Sequence, residues 1–179
     1  MSVTVRAVTA DEFPSLVPGL VDLLVDIVDD GASLGFVPPV VPAAVRHYWM
    51  ARGPELAAGS RVLVGVFRDG QLAGSGQLWL PSLPNAMHRA EVQKVFIGRT
   101  VRGRGVGASL MAALHEAARQ RGRSLLVLNA RRNVAERFYK PLGYQEVGVI
   151  PGYSLGSNGA RIDSVSLYLE LKDVGPPTI

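Results

Sequence analysis

Val101-Arg102-Gly103-Arg104-Gly105-Val106-Gly107-Ala108-Ser109 stands between an apolar, strand-like run, Val92 to Ile97, and a helical pattern, Ala108 to Arg121. Three glycines at every second position let the backbone turn sharply and bring its N–H groups towards one point. Those donors open a helix, where the macrodipole also favours an anion. Arg102 and Arg104 add full positive charge and forked donors suited to phosphate oxygens. The stretch reads as a diphosphate cradle. It is not the dinucleotide fingerprint, because Gly103-x-Gly105-x-Gly107 has the wrong spacing and no acidic residue closes the next strand, Ser124 to Ala130. Nor is it a P-loop, since no Gly-Lys-Ser/Thr follows the glycines.

A second motif lies after the intervening helix and strand: Asn133-Val134-Ala135-Glu136-Arg137-Phe138-Tyr139-Lys140-Pro141-Leu142-Gly143-Tyr144. Asn133 is a good N-cap, and Glu136 completes an Asn-x-x-Glu capping box. Phe138 and Leu142 fall on one apolar face with Ala135, and Gly143 ends the helix. The pair of motifs, Arg102-x-x-Gly105-x-Gly107 followed by Asn133-x-Ala135-x-x-Phe138-Tyr139-x-x-x-Gly143-Tyr144, resembles in order the acetyl-CoA loop and second signature of the GCN5-related N-acetyltransferase (GNAT) family.

Length and composition fit one domain, residues 1–174, followed by a tail, 175–179, expected to be disordered. The chain has no cysteine, which excludes a disulfide framework and thiolate chemistry. With no apolar run of about 18 residues and no signal sequence at Met1-Ser2-Val3, a soluble cytoplasmic protein is the expectation. Charge is unevenly spread. Residues 99–140 carry nine arginines and one lysine against Glu116 and Glu136, whereas residues 1–30 carry six acids against Arg6. A basic region around a phosphate loop suits coenzyme A. A solvated basic surface is the second reading, and it suits Arg119, Arg121 and Arg123; nucleic acid is the third, but aromatic content is low and no nucleic-acid motif is present.

Along the chain, Val3–Val8 alternates as a first strand, and Thr9-Ala10-Asp11-Glu12 caps a helix that ends near Asp30-Gly31. Residues 31–42 are a loop, and Pro42 opens a second helix to about Arg52. Arg61–Phe67 and Leu72–Leu80 flank Asp69-Gly70, a hairpin signal, and Glu91–Ile97 is the central strand. Strand 124–130, helix 134–142 and strand 144–150 follow the cradle helix, and a loop at 151–160 precedes a last alternating strand through Val165, Leu167, Leu169 and Leu171. The order β-α-α-β-β-β-α-β-α-β-β matches the GNAT arrangement. The fold class is thus α/β (α+β): a mixed, mostly antiparallel twisted sheet of about seven strands with helices on both faces.

The resemblance implies acetyl-CoA as co-substrate, no metal, and direct attack by a primary amine in a ternary complex. It implies that the pantetheine arm pairs with the backbone of Val95, Phe96 and Ile97, where the parallel strands splay, and that an N–H near Phe96 or Ile97 polarises the thioester carbonyl. It assigns further cofactor contacts to Arg102, Gly103, Arg104, Gly105, Val106, Gly107, Ala108, Asn133 and Phe138. Tyr139 occupies the position whose phenol reaches the sulfur, and a phenol is protonated at neutral pH, so it is the candidate general acid. Period-2 alternation places Glu91, Gln93, Val95 and Ile97 on one face, making Glu91 the candidate base. Its alternatives are an ion pair with Lys94 or Arg89, or solvent. His88 is a weaker candidate in a loop, His115 reads as a surface residue on the cradle helix, and His47 as a packing residue.

Four stretches resemble the tabtoxin-resistance type of GNAT acetyltransferase: Gly31-Ala32-Ser33-Leu34-Gly35-Phe36, Glu91-Val92-Gln93-Lys94, Leu126-Val127-Leu128-Asn129 and Gly148–Leu155. The subgroup's Leu-Asp-Thr-Arg is here Leu128-Asn129-Ala130-Arg131. Asn129 has no charge and cannot take a proton, so a different amine is expected. The partner expected is a small-molecule amine, without nucleic acid or membrane; a homodimer is a further implication of the family. The readings that compete are a protein N-terminal or lysine acetyltransferase and a non-catalytic acyl-CoA-binding module.

Overall fold

Asp69 and Gly70 take φ of 48° and 81°, the positive values that a two-residue hairpin turn needs, and they join β2 (Arg61–Arg68) to β3 (Gln71–Trp79). The computed structural model describes residues 2–32, 34–156, 158–172 and 174; the tail at 175–179 lies outside the described residues. With β1 (Val3–Ala7), β4 (Arg89–Ile97), β5 (Leu125–Ala130), β6 (Gln145–Leu155) and β7 (Arg161–Glu170), the strands form one sheet in the order β1-β2-β3-β4-β5-β7-β6. Every neighbouring pair is antiparallel except β4 and β5. The mixed, mostly antiparallel seven-stranded sheet is therefore as expected.

Helices cover both faces. Leu20, Leu24, Ile27 and Val28 of α1 (Phe13–Asp29) and Val45 and Trp49 of α2 (Pro42–Met50) pack with Leu63, Phe67 and Phe96. On the other face, Leu110, Met111 and Leu114 of α4 (Val106–Arg119) pack with Val62, Val64, Val66 and Val92. A short α3 (Gly53–Ala57) was not foreseen. Val62 to Phe67 of β2 feed the two cores in alternation, which is why that strand is buried throughout.

Local expectations fail in four places, each for a physical reason. The Thr9 hydroxyl accepts from the Glu12 N–H at 3.2 Å and its carbonyl from the Phe13 N–H at 3.1 Å, but α1 starts only at Phe13, because Pro14 has no N–H to return to Ala10; the Glu12 carboxylate pairs with Arg6 instead of closing the box. Asn133 is not an N-cap: the helix begins at Arg132 with Arg131 as its cap. Glu136 is bound instead by Lys140 at 2.8 Å, with Arg132 at 3.6 Å. The α-turn Arg132–Val134 (α5) then loosens into a π-helix, Ala135–Tyr139, and tightens into a 3₁₀ turn, Lys140–Leu142. Pro141 has no N–H to return to Arg137, which relaxes the α register there.

The strand expected to stop at 150 runs on to Leu155, since a register irregularity between Ile150 and Ser154 absorbs the Pro151-Gly152 corner. Gly152 takes φ 60° and its N–H donates to the Asp163 carboxylate at 2.9 Å. Lastly, β4 does not alternate cleanly. Its register against β3 shifts between Ser75 and Gln77, and Lys94 takes φ 48°. Beyond this bulge Val95 and Ile97 turn to the α4 side, with Val92, while Phe96 turns to the α1–α2 side. Glu91 and Gln93 therefore do not share a face with Val95 and Ile97.

Leu114 is fully buried and lies against Gly76, where an added Cβ would come within 2.8 Å of it. Leu114→Ala is expected to cost about 2–5 kcal/mol through lost burial and a cavity, measured as a fall in the urea midpoint at unchanged m-value.

Candidate active site

The parallel ladder between β4 and β5 runs from Arg89–Leu125 only to Glu91–Val127. Past that point the two strands diverge, and a cleft of about 650 Å³ opens between them. Among the residues that line it are Glu91, Gln93, Lys94 and Val95 of β4, Asn129 and Ala130 of β5, Tyr48 of α2, and Tyr139. Of the residues read from the sequence, the cleft gathers Tyr139, Glu91, Val95, Arg102 and Asn133. Phe96, Ile97, Gly103, Arg104, Gly105, Val106, Gly107, Ala108 and Phe138 lie outside its lining.

The cradle begins with a 3₁₀ turn, Arg99–Val101, and reaches α4 through Gly103 and Gly105, with φ of 78° and 73°. Gly105 caps the helix in the left-handed conformation and no side chain caps it, so the amides of the first turn point outwards unfilled. Gly107 has a different task. A Cβ there would come within 3.0 Å of the Phe138 ring, so its bareness lets the second motif sit on the helix opening. The two arginines also differ. Arg102 Nε donates to the Ile97 carbonyl at 2.9 Å and Arg102 faces Asp30 at 3.5 Å. Arg104 is exposed and has no hydrogen bond or ion pair among the described residues. The residues present fit a diphosphate: outward amides, two left-handed glycines and one uncommitted guanidinium.

Tyr139 is buried and packs edge-on against Phe138 and Tyr144, with ring centroids 5.0 and 5.5 Å away. Burial pushes its phenol well above the ordinary tyrosine range, so it stays protonated across the physiological range. Its neighbour Tyr144 is also buried, and its hydroxyl lies 3.1 Å from His115 Nε2. His115 is thus half-buried beneath the tyrosines and not a surface residue. Burial, with the Arg119 charge, pushes its pKa down to about 4. His47 is exposed and does not pack, and His88 serves the sheet through its carbonyl, which accepts from Ser124 and Leu125.

Glu91 lines the cleft and has no hydrogen bond or ion pair among the described residues, so neither Lys94 nor Arg89 claims it. Asn133 is exposed at the rim, and Asn129 accepts from the Ser166 hydroxyl at 2.7 Å. Sequence reading missed the wall beneath α2. There Glu55 binds Arg52 at 2.8 Å and Arg61 at 2.6 Å. Arg61 also donates to Gln77 at 2.7 Å and Gln93 at 2.9 Å. Lys94 stands over the Tyr48 ring at 4.8 Å and near Phe36 at 5.9 Å. Desolvation, with Arg61 and Arg52 adding like charge, pushes its pKa down to about 8. A lysine in the middle of an apolar central strand was the available signal. Arg131, also missed, donates to the Gly31 carbonyl at 2.9 Å and ties the α1–α2 loop to the end of β5.

The seven-stranded sheet is thus parted at its one parallel pair, beside the glycine-capped opening of α4 and the buried phenol of Tyr139. Residues 31–144 match the acetyltransferase (GNAT) family. The chain belongs to that family. An uncharacterized N-acetyltransferase of Methanocaldococcus jannaschii is 36% identical over 66 residues, a stretch that makes up 36% of this chain and 29% of that protein. The phosphinothricin acetyltransferase of Sinorhizobium meliloti, solved with acetyl-CoA, superposes with a TM-score of 0.79 at 16% identity, over 99% of this chain and 94% of its own. Ribosomal-protein-alanine N-acetyltransferase of Brucella melitensis superposes at 0.74 with 21% identity, over 94% and 99%. Among the described residues there is no cluster of potential metal ligands, and no helix is long and apolar enough to cross a membrane.

The folded His115 binds its proton less tightly than an unfolded histidine, whose ordinary pKa is about 6.5. The unfolded chain therefore holds more protons between these values, and the stability His115 contributes above pH 6.5 is lost as pH falls towards about 4. Urea titrations at pH 7 and pH 4.5 are expected to show a smaller loss for His115→Gln than for the wild type.

Proposed function

We propose that this protein transfers the acetyl group of acetyl-CoA to a primary amine of a small molecule, by direct attack in a ternary complex. The observation that carries the reading is the end of the β4–β5 ladder at Glu91 and Val127. It opens the sheet between Glu91, on the α1–α2 side, and Tyr139, which belongs to the core on the α4 side. An amine and a thioester can then approach from opposite faces. The chain has no cysteine to carry the acyl group between them.

When bound, acetyl-CoA supplies an acetyl thioester whose diphosphate suits the amides of Val106, Gly107 and Ala108, with Gly103, Gly105 and Arg104 shaping and charging the cradle. Arg102 acts from the cleft side. The backbone of Val95, Phe96 and Ile97 offers the edge left unpaired by β5 to the pantetheine arm. Asn133 and Phe138 flank that path, Phe138 through its seat on Gly107. A main-chain N–H near Phe96 or Ile97 polarises the thioester carbonyl. Glu91, which no cation claims among the described residues, draws a proton from the incoming ammonium through water. Tyr139 returns a proton to the departing sulfur; its high proton affinity matches a thiolate formed in the same dry surroundings.

The bond from Arg131 to Gly31 bounds the cleft and supports a small acceptor over a peptide. The tabtoxin-resistance likeness stays a likeness. Asn129 is neutral and already holds the Ser166 hydroxyl, which supports another amine as substrate. We further infer one domain over residues 1–174. The homodimer implied by the family is supported by the exposed Val147, Ile150 and Leu155 on the outer strand β6.

Release of free thiol from acetyl-CoA across a panel of amines, amino-acid derivatives and antibiotics tests the reading. Turnover with none of them, beside a clear thermal shift with acetyl-CoA, would leave an acyl-CoA-binding module. Tyr139→Phe is expected to lower kcat about 10²-fold while the thermal shift with acetyl-CoA persists. Unchanged acetylation across pH would remove Tyr139 as the acid. Arg104→Ala is expected to weaken acetyl-CoA binding about tenfold, read from the ligand dependence of Tm.

A further inference from the structure

The acetyl-transfer reading finds no use for Lys94, although the protein holds this side chain in an unfavourable state. Its φ of 48° lies in the left-handed region, which long side chains rarely adopt. The bulge that imposes this angle turns Lys94 onto the same face as its neighbour Gln93, into the cleft. Packing then fixes the ammonium: a Cβ on Gly35 would come within 2.9 Å of Nζ. The rings of Tyr48 and Phe36 stand on its other sides.

Among the described residues no carboxylate answers this charge. Glu55, on α3, is shared by Arg52 and Arg61, and Glu91, on the same strand as Lys94, forms no ion pair among the described residues. Lys94 and Arg52 line this corner of the cleft, and behind them Arg61 shares the carboxylate of Glu55 with Arg52, so three cations stand against that one carboxylate. Arg52 also keeps a buried Nε with no hydrogen-bond partner. Buried polar groups are as a rule paired, and excess positive charge in a half-closed cleft concentrates anions.

We propose that this corner is an anion subsite for the acceptor: the amine that is acetylated also carries a carboxylate. That carboxylate pairs with the Lys94 ammonium beside Arg52, while the amino group lies towards Glu91. Cationic acceptors such as polyamines meet like charge at the same place and are disfavoured. The proposal rests on the acetyl-transfer reading and names the acceptor's class.

The test uses glutamate, methionine, phenylalanine and 4-aminobutyrate, each beside its carboxamide, as acceptors for the wild type and Lys94→Met. The two proteins are compared on the same compound, which cancels the difference in intrinsic reactivity between acid and amide. For an acid that is acetylated, Lys94→Met is expected to lower kcat/KM by about tenfold or more beyond its effect on the matching amide, chiefly through KM. The acetyl-CoA thermal shift of the variant shows that it is folded; should it not fold, Lys94→Gln takes its place.

Equal effects on acid and amide, or turnover confined to amines without a carboxylate, would overturn the proposal. If no amine releases thiol, the acetyl-transfer reading fails, and calorimetric titration of the same acids decides the subsite separately. Binding to the wild type that Lys94→Met weakens by a similar factor upholds it, and equal or absent binding ends it.

Discussion

Only three residue pairs join β4 to β5, from Arg89–Leu125 to Glu91–Val127, and the rest of the site depends on the ladder ending there. A strand parted from its neighbour leaves backbone donors and acceptors unpaired, which is costly unless something else fills them. Here the bulge at Lys94 bends β4 away, and the opening becomes the cleft. Because the sheet is the wall between two cores, parting it also connects them. A residue buried with α4, Tyr139, and residues beneath α2, such as Lys94, come to line one space.

Holding the gap at a fixed width takes struts from outside the sheet. Arg131 reaches from the end of β5 to Gly31, and Arg99 and Arg102 bind Asp26 and Asp30 at the end of α1. These exposed ion pairs are each worth little in stability, about 0–1 kcal/mol. Their consequence is geometric, since they fasten the acidic end of α1 to the turn before the cradle. The separation of charge along the chain, acids at the start and arginines after residue 99, is in part this seam.

The two motifs are coupled more firmly. Gly107 and Phe138 touch across the opening of α4, so the anion cradle and the helix that carries Tyr139 cannot be placed independently. The π-helical stretch Ala135–Tyr139 seats Phe138 on that glycine and sends the next ring, Tyr139, into the core. Beneath it Tyr144 and His115 fill the remaining space, and the whole layer is kept neutral by burial.

Most of the architecture was legible in the chain alone. Asp69-Gly70, the period of α4 and the alternation of β7 are local patterns with local causes, and the spacing of glycines and arginines marked the cradle. What the chain could not disclose is the result of long-range competition for partners. Arg6 takes the carboxylate of Glu12 from its cap, Lys140 and Arg132 take that of Glu136, and Asp30 engages Arg102. The bulge at Lys94 is a matter of register between β3 and β4, which no single-strand periodicity contains. It alone moved Val95 and Ile97 to the far face and brought a lysine into the cleft. Sequence thus determined which elements form and which chemistry they carry, because propensity and motif act over a few residues; tertiary structure decided which charges remain unanswered, because that depends on what the rest of the fold has already paired.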